Sequence, residues 1–152
     1  MKSLKITILL LAVAMATIFS SCSKSDPTPA VAPAVTAPDG FSWTENGGTT
    51  VKTATAIYVT SQNNLYAKNA AGVDIFEITT KNTIVGTYVL GDNFSVIQYT
   101  GLTPQYTPPT GKIVITSNTG GKMSGTFEGT GTSVGCPLTS IKGTFNNITV
   151  QP

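Results

Sequence analysis

The sequence predicts an all-β domain over residues 41–152, an antiparallel meander of about nine strands that forms a barrel or a sandwich. Three features carry that expectation. No stretch of about ten or more residues between positions 41 and 150 shows the apolar spacing of a helix. Thr, with 26 copies in the chain, joins Val, Ile, Tyr and Phe between the turn clusters, and these residue types suit a pleated, half-buried surface. The turn clusters recur at short, regular intervals, as antiparallel neighbours require.

The first strand covers 41–45, and the second, 53–61, stops at Gln62-Asn63-Asn64. Strand 65–69 runs to Ala71-Gly72, strand 73–80 to Lys81-Asn82, and strand 84–90 to Gly91-Asp92-Asn93. Strand 94–100 precedes a longer, proline-stiffened stretch from Thr103 to Gly111, and 112–117 reaches Asn118-Thr119-Gly120-Gly121. The last pair, 122–130 and 139–150, flanks Thr132 to Leu138. Asn, Asp and Gly punctuate these boundaries because they accept left-handed backbone or bond to their own main chain.

The final hairpin is the most specific of these expectations, because Gly125-Thr126-Phe127 in one strand is repeated as Gly143-Thr144-Phe145 in the next. Parity puts Met123, Phe127, Ile141 and Phe145 on one face and Lys122, Ser124, Thr126, Glu128, Lys142, Thr144 and Asn146 on the other. Centring the hairpin on Gly135 sets Gly125 opposite Phe145 and Phe127 opposite Gly143, so that each ring covers a glycine. Parity inverts after Phe145, which predicts a bulge at Asn146-Asn147. Strands 73–80 and 94–100 are apolar on both parities, and are covered either by the chain's own loops or by a ligand or partner.

Only 11% of residues are charged, and the chain contains neither His nor Arg. It therefore has no imidazole for a triad or metal site and no guanidinium fork for phosphate. Lys2 and Lys5 precede the apolar run 6–19, which is short for a membrane span and suited to a signal-peptide core. Ser20-Ser21-Cys22 follows, with Phe19 before it. This arrangement resembles the lipobox of bacterial lipoproteins, and Phe19-Ser20-Ser21-Cys22 followed by Ser-Lys-Ser-Asp is similar to lipoproteins of Bacteroidota. The resemblance implies signal peptide 1–21, diacylglycerol and acyl groups on Cys22, and an outer-membrane address facing either the periplasm or the exterior. Two or more acyl chains would give lasting attachment. Cleavage before Cys22 would leave seven Lys against seven Asp and Glu, which removes the electrostatic basis for binding nucleic acid.

Residues 22–40 read as a lipidated Cys followed by a linker with Pro27, Pro29, Pro33 and Pro38, reaching roughly 50 Å when extended. A lipidated Cys22 cannot pair with Cys136, which then acts as a small apolar filler in a loop or as a reactive or intermolecular thiol.

Gly131-Thr132-Ser133-Val134-Gly135 spells G-x-S-x-G, but with no His and no helix it reads as a hairpin loop. Asp92-Asn93 could touch Ca²⁺, yet turn formation accounts for the pair. Glu77 with Glu128 or Asp74 is the carboxylate pairing to inspect for glycoside hydrolysis. No cofactor, no metal and no enzymatic activity are expected. Among the aromatic side chains, most are expected in the core or in cross-strand pairs; Trp43 and Tyr106 are the candidate ligand contacts, Tyr106 because its loop is long and proline-stiffened, with structural packing the favoured reading for it.

The Gly-Lys-Ile-Val-Ile-Thr strand at 111–116, Ser-Gly-Thr-Phe at 124–127 and Gly-Thr-Phe-Asn-Asn-Ile at 143–148, with Gly86-Thr87-Tyr88 before them, resemble a group of uncharacterised small Bacteroidota lipoproteins. That resemblance implies a fold and an address alone. The expected function is a non-enzymatic β domain binding a small ligand, a glycan or an envelope protein. The alternative is a structural subunit of an envelope complex. A cavity would favour binding, and a filled core with a broad apolar face would favour assembly.

Overall fold

The structure, a computed structural model, describes residues 38–152. Cys22, the signal peptide and most of the linker lie outside the described residues. Nine strands follow in chain order: β1 Gly40–Glu45, β2 Lys52–Val59, β3 Asn64–Lys68, β4 Asp74–Thr79, β5 Gly86–Val89, β6 Val96–Tyr99, β7 Thr110–Thr119, β8 Lys122–Thr130 and β9 Ser140–Gln151. A single 3-10 turn, Thr60–Gln62, is the sole helical element among the described residues.

All nine strands belong to one sheet in the order β5-β7-β8-β9-β1-β2-β3-β4-β6. The sheet curls into a half-barrel. The meander is interrupted once: β4 pairs with β6, while β5 crosses to the far edge and pairs with β7. Only residues 90–95 join β5 to β6, so the two lips of the curled sheet return within roughly 25 Å of each other. The crossing segment between β4 and β5 is fastened at both ends. Tyr58 and Thr80 share a hydroxyl hydrogen bond of 2.9 Å, and Asn118 Nδ2 of β7 donates to the Thr83 carbonyl at 3.1 Å.

Strand ends differ from the sequence expectation where local bonds compete with the ladder. β2 ends at Val59 because the chain turns through Asn63, whose φ of 53° is left-handed. β6 starts at Val96, two residues later than expected, because the Asp92 carboxylate has captured the N–H groups of Phe94 and Ser95 at 2.9 and 2.8 Å. β7 is longer than expected, since Thr110 and Thr119 pair fully with β8.

In the last hairpin Gly125 faces Phe145 and Phe127 faces Gly143, with Met123, Phe127, Ile141 and Phe145 all buried. A Cβ on Gly125 would run into the Phe145 ring and the Val114 carbonyl, and one on Gly143 into the Phe127 ring and the Ser42 carbonyl. Glycine is therefore demanded here by the close approach of ring and backbone. The bulge falls at Asn146 and Asn147, which together oppose Ser124. Asn147 has φ 49°, its N–H donates to Ser124 Oγ at 3.0 Å, and its amide donates to Asp39 Oδ1 at 2.8 Å. Beyond the start of β1, β9 turns onto β2 and the two pair in parallel, Ile57 to Val59 against Thr149 to Gln151.

The concave side is filled by rings. Phe76 and Tyr99 stack at 4.3 Å, Phe41 and Phe127 at 5.0 Å, and Trp43 meets Phe76 edge-on at 5.0 Å. Such pairs add roughly 0.5–1.5 kcal/mol each beyond burial. In the doubly apolar strands Phe76, Ile78, Ile97 and Tyr99 face inward. Ile75, unpaired at the irregularity between β3 and β4, is half-buried against the margin of the core, and Thr100 and Gly101 both donate to its carbonyl at 2.9 and 3.2 Å.

Candidate functional site

Trp43 and Tyr106, the two rings singled out as ligand contacts, are both taken up by the core. Trp43 is 4% exposed and its indole N–H donates to Glu45 Oε1 at 3.0 Å. Tyr106 is fully buried and packs as a structural ring, not as a contact displayed on the proline loop. Its main chain exchanges hydrogen bonds with Tyr99, and its hydroxyl donates to the Gly131 carbonyl at 2.8 Å. The loop is long because it must cross the open side of the half-barrel. Pro108 and Pro109 lie against Gly129 and Gly131, where any side chain would collide with them.

The other chemical candidates are dispersed. Ser133 bridges the Thr107 N–H and carbonyl at 3.1 and 2.9 Å and ties two loops together. Glu77 accepts from Asn64 Nδ2 at 2.6 Å, Asp74 pairs with Lys68 at 2.6 Å, and Glu128 with Lys112 at 3.2 Å. Glu77 stands on β4 and Glu128 on β8, with four strands between them in the sheet, so these carboxylates do not form a pair across a cleft. Backbone donation from Phe94, helped by Ser95 and nearby Lys81, holds the Asp92 carboxyl below its ordinary range. No group of three or more Cys, Asp or Glu side chains suited to a metal occurs among the described residues. Cys136 is a half-buried free thiol packed at the margin of the core.

Because the inside is occupied, concave space is found on the outer face. Two adjoining depressions, with cavity volumes of about 240 and about 310 Å³, share Thr44 and Lys142 and form one trough over β8, β9 and β1. Sheet register builds its floor. Thr126, Thr144 and Ser42 make one cross-strand row, Glu128, Lys142 and Thr44 the next, and Thr130 and Ser140 begin a third. Neighbouring columns are ~4.8 Å apart and successive rows ~6.8 Å, from sheet geometry. Gly47, Gly48 and Val51 of the β1–β2 hairpin form a wall.

That wall is fixed at its base. Asn46, at φ 50°, accepts from the Thr139 N–H at 2.8 Å, the Thr139 hydroxyl at 3.2 Å and the Ser140 N–H at 3.3 Å. The floor is ordered too, since Ser42 and Thr144 hydroxyls share a hydrogen bond of 3.0 Å. The Thr44 hydroxyl also turns to protein, donating to the Lys142 carbonyl at 3.5 Å, so the surface that the trough exposes is mainly apolar, with the Lys142 ammonium at its middle.

Parity marks Thr126, Glu128, Lys142 and Thr144 as a polar face. The concavity itself depends on β1 pairing with β9, which brings residue 42 beside residue 144, and no local pattern signals that contact.

Comparison with protein families, with curated proteins and with solved structures gives no match.

Proposed function

We propose that this chain is a lipid-anchored envelope protein, attached through Cys22, whose half-barrel binds a small ligand or a glycan in the outer-face trough. The observation that carries the reading is the trough itself: a pre-ordered, mainly apolar concavity with Lys142 and Glu128 in its middle row, on a domain whose interior is filled. Ligand sites need concave surface and a few convergent polar groups, and the filled core directs binding away from a barrel mouth. The N-terminal linker would hold the domain off the lipid surface. The leader resemblance supports the anchor, and an outer-membrane location follows from that resemblance.

A second reading has one observation in its favour. Among the described residues, edge strand β5 has no neighbour on its outer side, and Ile84, Val85, Val89 and Phe94 near it are exposed. An edge of this kind could pair with an envelope protein, as the assembly alternative requires. Lys81 lies 5.4 Å from the Phe94 ring centroid and puts a charge beside that surface.

Amide exchange of the full-length chain in detergent, with and without glycans released from its own envelope, separates the two. Protection in β8, β9, β1 and the 46–51 hairpin supports the trough. Protection by envelope proteins confined to 84–94, with none in the trough, overturns it in favour of assembly.

A further inference from the structure

We infer that the chain carries a second ligand surface, independent of the trough, on the outer face of β2, β3, β4 and β6, where Tyr66 is the platform for a neutral, extended saccharide. Most aromatic side chains among the described residues are buried; Tyr66, Tyr88 and Phe94 are not. The Tyr88 hydroxyl is drawn back onto Asn82 and Ile84 of its own loop, and Phe94 already has Lys81 over its ring at 5.4 Å. Tyr66 differs. Its strand neighbours Leu65 and Ala67 enter the core, so parity puts its half-buried ring on the outer face, in line with Ile57 of β2, Glu77 of β4 and Gln98 of β6.

A buried amide fixes that ring. The Tyr66 hydroxyl donates to Gln62 Oε1 at 2.6 Å and accepts from Asn64 Nδ2 at 3.0 Å. The same amide nitrogen donates to Glu77 Oε1 at 2.6 Å, so one side chain orients both the ring and the carboxylate beside it. Asn64 is 8% exposed, and its Oδ1 has no hydrogen-bond partner among the described residues. A buried carbonyl oxygen without a donor destabilises a fold, and turning the amide over would set that oxygen against the Glu77 carboxylate. The sequence thus keeps a destabilising amide at the point where it positions two outer-face groups, and a passive sheet surface has no need of it.

The row specifies the ligand. The negative face of a pinned ring attracts the polarised C–H face of a pyranose. Glu77 keeps an oxygen free to accept from hydroxyls, and the Gln98 amide, which makes no hydrogen bond among the described residues, can both donate and accept. Adjacent strands stand ~4.8 Å apart, so Tyr66, Glu77 and Gln98 present a straight series of contacts about 10 Å long. On the β2 side, Tyr66, Ile57, Thr55 and Lys68 line a shallow depression, and Thr55 and Lys68 lead on into a hollow of about 450 Å³. A straight series suits an extended chain of equatorially substituted sugars and not a coiled one. Lys68 is neutralised by Asp74 at 2.6 Å, which leaves the Glu77 carboxylate to repel acidic saccharides and nucleic-acid phosphates.

The test is titration of the full-length chain, in a sugar-free detergent, with cellohexaose, an extended β-linked glucan, and with its coiled α-linked isomer maltohexaose, followed by amide exchange. Cellohexaose should bind about fivefold tighter or better and protect β2, β3, β4 and β6. Tyr66→Ala should weaken it about tenfold, and Tyr66→Phe, which keeps the ring, by clearly less. Gln98→Ala, at a side chain with no bond to lose, should weaken it about threefold with the thermal midpoint unchanged. Binding of neither hexaose, equal affinity for the two, or a cellohexaose affinity untouched by Tyr66→Ala and Gln98→Ala would overturn the inference. Protection confined to β8, β9 and β1 would overturn it too, while supporting the trough.

Discussion

Tyr99 and Tyr106 exchange both of their backbone hydrogen bonds, at 2.8 and 3.0 Å, and so join β6 to the segment that crosses the open side of the sheet. The same Tyr106 sends its hydroxyl on to Gly131, beyond the end of β8. One residue thereby ties edge strand β6 to the end of β8, two strands in from the opposite edge.

Removing that hydroxyl tests the linkage. Tyr106→Phe leaves the Gly131 carbonyl without its donor and should cost about 1–2 kcal/mol, while Tyr106→Ala, which also empties a core position, should cost about 3–5 kcal/mol. Urea midpoints at constant slope read both values. A Phe variant as stable as the parent would mean that the bond to Gly131 holds nothing.

The ring-over-glycine pairs make a second prediction. Gly143→Ala should destabilise the domain by about 1–3 kcal/mol through overpacking against Phe127 and the Ser42 carbonyl. Trimming the ring with Phe127→Leu should make the alanine less costly, and a double-mutant cycle measures that coupling. Relief should be partial, because the Ser42 carbonyl stays in place. Strictly additive effects would contradict the packing described.

At the bulge, Asn147 combines a left-handed backbone with a bond to Asp39. Asn147→Gly should lose the bond alone, whereas Asn147→Ala should also meet the left-handed penalty. Alanine should therefore be less stable than glycine here by about 1 kcal/mol. Thermal unfolding of the two variants checks the order, and a reversed order would rule out the backbone argument.

Acid and alkali should both destabilise the domain through one cluster at the end of β1. Burial acts to raise the Glu45 pKa, but hydrogen bonds from Lys52, Trp43 and Tyr99 outweigh it and hold the carboxyl below its ordinary value of 4.5. A lowered folded-state pKa contributes stability that is present above the unfolded value and lost as pH falls through the folded one. Tyr99 shows the opposite case, pushed up to about 12 by burial and by the Glu45 carboxylate. Its contribution is present below pH 10 and lost as pH rises toward 12. Glu45→Gln should flatten the acid limb of the stability profile, and an unchanged limb would remove Glu45 as its source.

Much of the strand pattern is legible in the sequence because each turn carries its own chemistry: Asn63 in left-handed geometry, the Asp92 turn, the glycines of 120–121. The Gly125 and Phe145 register is legible for a related reason, since a repeated triplet and a parity rule fix it without reference to the rest of the chain. Two things are not. The crossing of β5 to the far edge depends on bonds such as Asn118 to Thr83, made between residues distant in sequence. The site was sought among aromatic side chains, whereas the concave surface is built from threonines whose pairing across β8, β9 and β1 no local window contains. Tyr106 illustrates the difference: a long proline loop suggests display, but here the length is used to carry the chain from β6 to the end of β8 and bury the ring.

Everything assigned to the trough presupposes a domain displayed from a membrane, so the most direct measurement is metabolic labelling of growing cells with an alkynyl fatty acid, followed by fractionation. Labelled protein in the membrane fraction, with both label and membrane association lost in Cys22→Ala, is the predicted result. Label and membrane association that persist in the Cys22→Ala variant, or an unmodified amino terminus beginning at Met1, would contradict it.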